Sequence, residues 1–167
     1  ITSDPEAALS EKLRLTTEFI MEISPDRELL RFLFVKNDFH NLKAAMKCSV
    51  SGVSPEGYFL PAVTAGTDLI EKVVAEHRYT ELPEMLSAPA ESAWDALVTG
   101  MNGQLCEMIL DRAAIEASVK VAKLSGDDFS TGLAELRRKL SAVMIAYRCA
   151  AAEKNPDFIK AALPDCP

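Results

Sequence analysis

The sequence predicts an all-α protein, and three observations favour this fold class. Ala and Leu are abundant while aromatic residues make up only 7% of the chain, a composition that suits helices better than sheets. Apolar residues recur at spacings of three and four over most of the chain. No run of alternating polar and apolar residues is long enough to outweigh these helical patterns. We therefore expect a helical bundle or helical repeat.

The first predicted helix begins with a sequence that is typical of helix N-termini. Asp4 is a good N-cap residue, Pro5 suits the first helical position, and Glu6 places an acid in the first turn. One face of this helix is predicted to be apolar. It contains Leu9, Leu13, Thr16, Ile20 and Ile23.

A second start signal predicts one long helix near residues 26–48. The segment 24–26, Ser-Pro-Asp, precedes it, and Ser51 and Gly52 end it. This helix is strongly apolar. Its apolar residues include Leu29, Leu30, Leu33, Phe34, Leu42, Ala45 and Met46.

The middle of the chain shows shorter patterns. Ser54-Pro55-Glu56 predicts a short helix that kinks or ends near Pro61, and an amphipathic helix is expected over 69–78. Two prolines make residues 82–89 a predicted loop with about one helical turn. The segment 90–124 is helical in pattern, with an interruption near Gly100 to Gly103.

The last third predicts a long helix near residues 129–152, after a loop at 125–128. A final short helix is capped by Asn155-Pro156-Asp157 and ends before Pro164. Both the length of the long helix and the proline-led start of the short one resemble features seen earlier in the chain.

This similarity indicates a weak internal repeat. Lys47-Cys48 followed by Pro55-Glu56 matches Arg148-Cys149 followed by Pro156-Asp157 at one common offset. In each copy a long helix ends in a basic residue and Cys, and a proline starts a short helix after a linker. We predict two helical units, residues 1–65 and residues 66–167, of which the second contains the weak repeat of the first.

The net charge argues against nucleic-acid binding, and the hydropathy argues against a membrane-spanning helix. The formal net charge of −7 argues against nonspecific nucleic-acid binding, which needs a concentrated positive face. The short basic run at residues 137–139, Arg-Arg-Lys, is interpreted as a solvated helix face. No stretch approaches the roughly 20 apolar residues that a membrane-spanning helix requires.

The residue types that are common in catalytic and metal sites do not form a recognisable site in this sequence. The four cysteines contain no C-x-x-C pair, and there are only two histidines, so we expect buried free thiols and no metal. The acids Glu107 and Asp111, four residues apart on a helix, are interpreted as a solvated face. We expect no catalytic residue, no cofactor and no metal ligand.

The densest polar cluster is the segment 36–43, Lys-Asn-Asp-Phe-His-Asn-Leu-Lys. On a helix Asp38 and His40 point to different faces, which argues against an acid–base pair. We expect Asn37, Asp38 and Asn41 to be structural, holding adjacent helices or chain ends through hydrogen bonds.

The segment 37–43, Asn-Asp-Phe-His-Asn-Leu-Lys, resembles the N-D-x-x-N-L-K helix of the C-type central-stalk subunits of V/A-type ATPases, known as d-type in eukaryotes. Residues 109–112 resemble the family's L-D-(K/R) helix, and residues 145–164 are similar to its L-R-x-K helix and the following segment. Two departures are Lys139 to Val143, which lacks the Asp and Asn of the second copy, and Asp165-Cys166 in place of Gly-Gly. The family motif residues are Asn37, Asp38, His40, Asn41, Lys43, Asp111 and Arg148.

The resemblance implies a non-catalytic central-stalk connector of a rotary ATPase. Members of the family resemble a funnel of three similar helical domains that lies on the membrane rotor ring and receives the central shaft. The expected partners are the shaft subunits and the rotor ring, and the expected location is cytoplasmic and peripheral to the membrane. Such a connector couples the motor to ion transport or ATP synthesis without a cofactor. The chain would then be a middle portion of the full-length connector.

Two alternatives come from other classes. A helical adaptor or regulatory module would bind a partner helix in a groove, but has no reason to carry the N-D-x-H-N-L-K helix. An α-helical metal-dependent hydrolase would need several His and Asp ligands on facing helices, and two histidines do not supply them.

Overall fold

The computed structural model describes residues 5–24, 27–61 and 64–165, and within these ranges it contains no strand. The predicted all-α fold class is confirmed. Two short 3₁₀ turns, Glu56–Tyr58 and Tyr79–Glu81, accompany the α-helices. The α-helices are α1 (Pro5–Ile23), α2 (Arg27–Phe34), α3 (Lys36–Ser51), α4 (Thr67–Glu76), α5 (Glu84–Val98), α6 (Gly103–Leu124), α7 (Asp128–Ala151) and α8 (Pro156–Ala162).

Some sequence-based expectations fall on residues for which the structure gives no description. Asp4, Pro25, Asp26 and Cys166 lie outside the described residues. The proposed caps of the first two helices and the fourth cysteine therefore stay predictions.

Helix α6 lies at the centre of the bundle and packs against α2, α3, α5 and α7. Its buried positions carry mostly small or β-branched side chains, which let neighbouring helices approach closely. The core around it joins residues from 32 to 134 in one cluster. This cluster includes parts of both predicted units, and the division at residue 65 stays a prediction. The buried residues of α6 are Cys106, Leu110, Ala114, Ala117, Val119, Val121 and Ala122.

The prediction of one continuous helix over 26–48 is wrong, because the helix is interrupted at Val35. The amide of Asp38 bonds to the carbonyl of Val35 at 3.1 Å, three residues earlier, which is a 3₁₀-type bond. Val35 keeps helical torsions and is fully buried. The apolar face therefore continues across the tight turn, with Phe32 and Phe39 buried on either side of it.

The prediction of a loop over 82–89 is also wrong, because α5 begins at Glu84 and includes Pro89. Pro89 has no amide hydrogen to donate to the carbonyl four residues earlier, so one helical hydrogen bond is missing. Burial of Leu86, Ala90 and Ala93 on one side of the helix offsets this loss. The predicted interruption near residues 100–103 is confirmed, since α5 ends at Val98 and α6 begins at Gly103.

Helices α3 and α7 end in the same backbone arrangement, at positions related by the predicted repeat. Gly52 has φ 70° after α3, and Glu153 has φ 51° after α7. The amide of Val53 bonds to the carbonyl of Cys48 at 3.1 Å, and that of Lys154 bonds to Cys149 at 2.9 Å. These are helix ends of the Schellman type.

The segments after these two helix ends differ. A single 3₁₀ turn follows α3, whereas α8, capped by the side chain of Asn155, follows α7. The shared geometry supports the duplication of residues 1–65 within 66–167, which remains a prediction.

Helix α1 differs from the others because its predicted apolar face is largely uncovered. Leu9, Leu13 and Ile23 are each more than half exposed, and only Ile20 of the apolar side chains on this face is partly buried. A gap of about 890 Å³ lies between α1, the junction of α2 and α3, and residues 57–61. Within the described ranges, no helix combines the length and apolar character needed to cross a bilayer.

Candidate functional site

Asn41 of α3 binds the backbone of Leu60 through both ends of its carboxamide. Its Nδ2 donates to the carbonyl of Leu60 at 2.9 Å, and its Oδ1 accepts from the amide of Leu60 at 2.8 Å. Asn41 is 0% exposed. The side chain thus satisfies both backbone groups of one residue in a segment that has no helix or strand partner of its own.

Asn37 and Asp38 bind the residues that follow. Asn37 Nδ2 donates to the carbonyl of Pro61 at 2.9 Å, and Asp38 Oδ2 accepts from the amide of Thr64 at 2.9 Å and from its hydroxyl. We call Asn37, Asp38 and Asn41 the α3 clasp. Helix α3 holds residues 60, 61 and 64 against its own face, so the clasp links α3 to residues outside any helix, and not to a second helix or a chain end.

His40 lies outside the clasp and has a different partner. Its Nε2 lies 3.0 Å from the carbonyl of Tyr58, so Nε2 donates in this contact, since a carbonyl oxygen only accepts. Asp38 and His40 thus have different partners, as their two-residue separation on α3 predicts. The clasp and His40 together bind residues 58, 60, 61 and 64, and none of these contacts forms a nucleophile–base pair.

A ladder of two ion pairs joins α3 to α6, and we call it the α3–α6 ladder. Lys43 Nζ lies 2.6 Å from Asp111 Oδ1, and Lys47 pairs with Glu107 one turn further along. Glu107 and Asp111 remain partly exposed to solvent, in keeping with the predicted solvated face, and each also pairs with a lysine of α3. The sequence contained this signal. The two lysines are four residues apart, and so are the two acids, so each lysine can face one acid when the helices run antiparallel.

The ladder predicts a pH dependence of stability. The hydrogen bond from Lys47 lowers the pKa of Glu107 below 4.5, and the hydrogen bond to Glu107 raises the pKa of Lys47 above 10.5. The contribution of Glu107 is present above pH 4.5 and is lost as the pH falls through its lowered pKa. That of Lys47 is present below pH 10.5 and is lost as the pH rises through its raised pKa.

A double-mutant cycle of Lys47→Met and Glu107→Gln should therefore give a coupling free energy of about 0.5–1 kcal/mol at neutral pH, because both side chains are partly exposed. The coupling should decrease below pH 4.5 and at about 1 M salt. A coupling that persists unchanged at acidic pH would contradict this assignment.

The remaining predicted site residue and the basic run have different environments. Arg148 is exposed and makes no ion pair with a described residue. In the run 137–139 the prediction of a solvated face is wrong for Arg138, which is only 7% exposed. Arg138 pairs with Glu135 and lies 4.0 Å from Glu116, because buried cations require partners.

The cysteines give no metal or nucleophilic site among the described residues. Cys48 and Cys106 are buried free thiols, as expected, and Cys149 is partly exposed. Burial raises the pKa of the Cys106 thiol, which disfavours the reactive thiolate. In the described ranges no three His, Cys, Asp or Glu residues converge on a possible metal position.

The outer side of α7 carries an uncovered apolar stripe, which sequence reasoning did not single out. Its members are spaced by seven, four, three and four residues, the spacing of a coiled-coil seam. Each is more than half exposed, whereas α7 buries only Ser130, Ala134 and Arg138. We call this set the α7 stripe; it consists of Phe129, Leu136, Leu140, Val143 and Tyr147.

These features define a class of all-α protein in which one helix binds irregular backbone through buried polar side chains and another helix has an uncovered apolar face. The chain belongs to the ATP synthase (C/AC39) subunit family, whose model matches residues 2–167. The expected resemblance is thereby confirmed, and the chain is of a family of accessory subunits of rotary ATPases. Comparisons with curated proteins and with solved structures gave no match.

Proposed function

We propose that this protein is a non-catalytic connector in the central stalk of a V/A-type rotary ATPase, coupling the shaft of the soluble motor to the membrane rotor ring. Family membership supports the assignment of the protein to a rotary ATPase complex. The observation that carries the finer assignment is the α7 stripe, which offers a long apolar seam to a coiled-coil shaft. A connector of this kind takes part in ion transport or ATP synthesis and is peripheral to the membrane on its cytoplasmic side.

The dimensions of the α7 stripe fit a helical partner. Phe129 to Tyr147 span about 27 Å along the helix axis, enough for more than two heptads of a facing helix. Burial of a large apolar side chain contributes about 1.5–3 kcal/mol, so the stripe can supply most of the binding free energy. Its flanks carry Arg137, Lys139 and Arg148, which favours acidic residues beside the apolar seam of the shaft.

The α3 clasp and the α3–α6 ladder support the same function in another way. A part that transmits torque must not deform between its two contacts. Asn41 fixes an irregular segment to α3, and the paired Lys43 and Asp111 fix α3 to α6. These contacts stiffen the body without forming a site for a cofactor.

Co-purification of the protein with separately produced shaft subunits and rotor ring tests this proposal. We expect the protein to retain both partners, and to show no ATP hydrolysis by itself. Failure to bind either partner, together with turnover of a small substrate by the purified protein, would contradict it.

A second candidate, a helical adaptor that binds a partner helix in a groove, is favoured by one feature. An open apolar groove of about 570 Å³ lies at one end of the bundle, where Met101 is 90% exposed. Val98→Asp distinguishes the two functions, because it alters this groove and leaves the α7 stripe intact. A helical partner that the unaltered protein retains and this variant releases, with no shaft binding by either, would favour the adaptor, whereas shaft binding that this variant leaves unchanged favours the connector.

A further inference from the structure

A small cavity of about 120 Å³ lies where α2, the start of α3, α6 and α7 meet. Its lining contains three cations and no acidic residue, although the protein as a whole has a net charge of −7. The other lining residues are apolar or serine. The full lining is Phe32, Leu33, Lys36, Ala114, Ile115, Ser118, Ala134, Arg137, Arg138 and Ser141.

Arg138 is the buried cation of this cavity. Its two terminal nitrogens face Glu135 and Glu116, but its Nε is buried and has no hydrogen-bond partner in the described part of the chain. A buried donor without a partner costs about 1–3 kcal/mol. The arrangement therefore leaves a guanidinium donor that an anion or water in the cavity would satisfy.

Lys36 and Arg137 are the exposed cations of the cavity. Neither makes an ion pair with a described residue, and both also line the wide gap beneath α1. The cavity and the gap thus share two positive charges that form no ion pair with an acid of the described chain. Such a local positive field attracts anions even to a protein that is acidic overall.

The two serines of the lining differ in whether their hydroxyl groups are already hydrogen-bonded. The Ser118 hydroxyl donates to the carbonyl of Phe32 at 2.6 Å, so its hydrogen is already used. The Ser141 hydroxyl makes no hydrogen bond with a described residue, and it adds a neutral donor to the three cations.

We infer that this cavity, lined by Lys36, Arg137, Arg138 and Ser141, binds one phosphate-type oxyanion. Since a water molecule takes about 30 Å³, the cavity has room for about four waters or one tetrahedral oxyanion, but not for a nucleotide. Guanidinium groups match the oxygens of such an anion. The ligand is either free phosphate or a terminal phosphate group whose remaining atoms lie in the gap beneath α1.

Titration of the protein with sodium phosphate tests this site, by calorimetry and by thermal unfolding against sodium chloride at equal ionic strength. We expect saturable binding of one phosphate and a rise in the melting temperature beyond that in chloride. In Lys36→Gln/Arg137→Gln the affinity should fall by about tenfold or more, since each charge-assisted bond is strong. Both side chains are exposed, so the variant should fold normally.

Lys139→Gln is the matched control, because Lys139 is an exposed cation on the same helix that does not line the cavity. It should bind phosphate as the unaltered protein does. Vesicles with phosphomonoester headgroups, tested in parallel, identify the source: binding to vesicles that is also lost in the double variant assigns a headgroup, and binding of free phosphate alone assigns the inorganic ion. Phosphate that stabilises no more than chloride, with no vesicle binding, would show a water-filled cavity and overturn the inference, as would equal affinities in the double variant and the unaltered protein.

Discussion

Replacement of Asn41 by alanine is expected to lower the free energy of unfolding by about 2–4 kcal/mol. The variant leaves the amide and carbonyl of Leu60 without their partner, and these part-buried bonds are 2.8 and 2.9 Å long in the protein. The side chain is fully buried, so water does not readily replace it. Chemical denaturation, read by circular dichroism, measures the effect.

Asn102→Ala provides the control for the Asn41 prediction. Asn102 caps α6 by accepting from the amide of Leu105 at 2.9 Å, but it is exposed. Loss of such a cap costs about 1 kcal/mol, so this variant should be clearly more stable than Asn41→Ala. If both variants lose the same small amount of stability, Asn41 does not hold Leu60 against α3 as described.

The double variant Leu140→Asp/Val143→Asp is expected to weaken binding to the shaft by about 100-fold or more, because two apolar side chains of the α7 stripe are lost and two charges must be desolvated. Both side chains are more than half exposed in the protein alone. Its stability should therefore change by no more than about 0.5 kcal/mol per substitution. Surface plasmon resonance with the isolated shaft measures the affinity.

Leu124→Asp is the matched control for the stripe, because Leu124 is 76% exposed but lies at the end of α6. It introduces the same type of charge outside the stripe and should leave shaft binding unchanged. Equal loss of binding in the control and the stripe variant would point to a general charge effect. Full binding by the stripe variant would place the shaft contact elsewhere.

Local signals predicted most of the helical elements because they act over a few residues. Asn155 and Asp127 cap α8 and α7 through side-chain bonds to amides three residues on, as their residue types predict. The two errors arose where packing overrides local preference. Pro89 lies inside α5 because buried neighbours hold the helix together, and the tight turn at Val35 has no signature in residue type.

The site could be predicted only in part, for a related physical reason. Asn37 and Asn41 stood out as polar residues on an apolar helix, but nothing local indicates that their partners are the carbonyls of Pro61 and Leu60. Lys47 and Glu107 lie 60 positions apart, so their pairing depends on how α3 meets α6. The burial of Arg138 likewise depends on which side of α7 faces the body.

The central position of α6 has a mechanical consequence. Helix α7, which carries the stripe, meets the body mainly through α6, with smaller contacts to α2 and α8. A load applied along the stripe therefore enters the protein through one seam and spreads from α6 to three further helices, α2, α3 and α5. Small side chains such as Ala114 and Ala117 on α6 leave little room for these helices to slide. Under torsion the bundle should therefore turn as one body about α6, and α1 should carry none of the load.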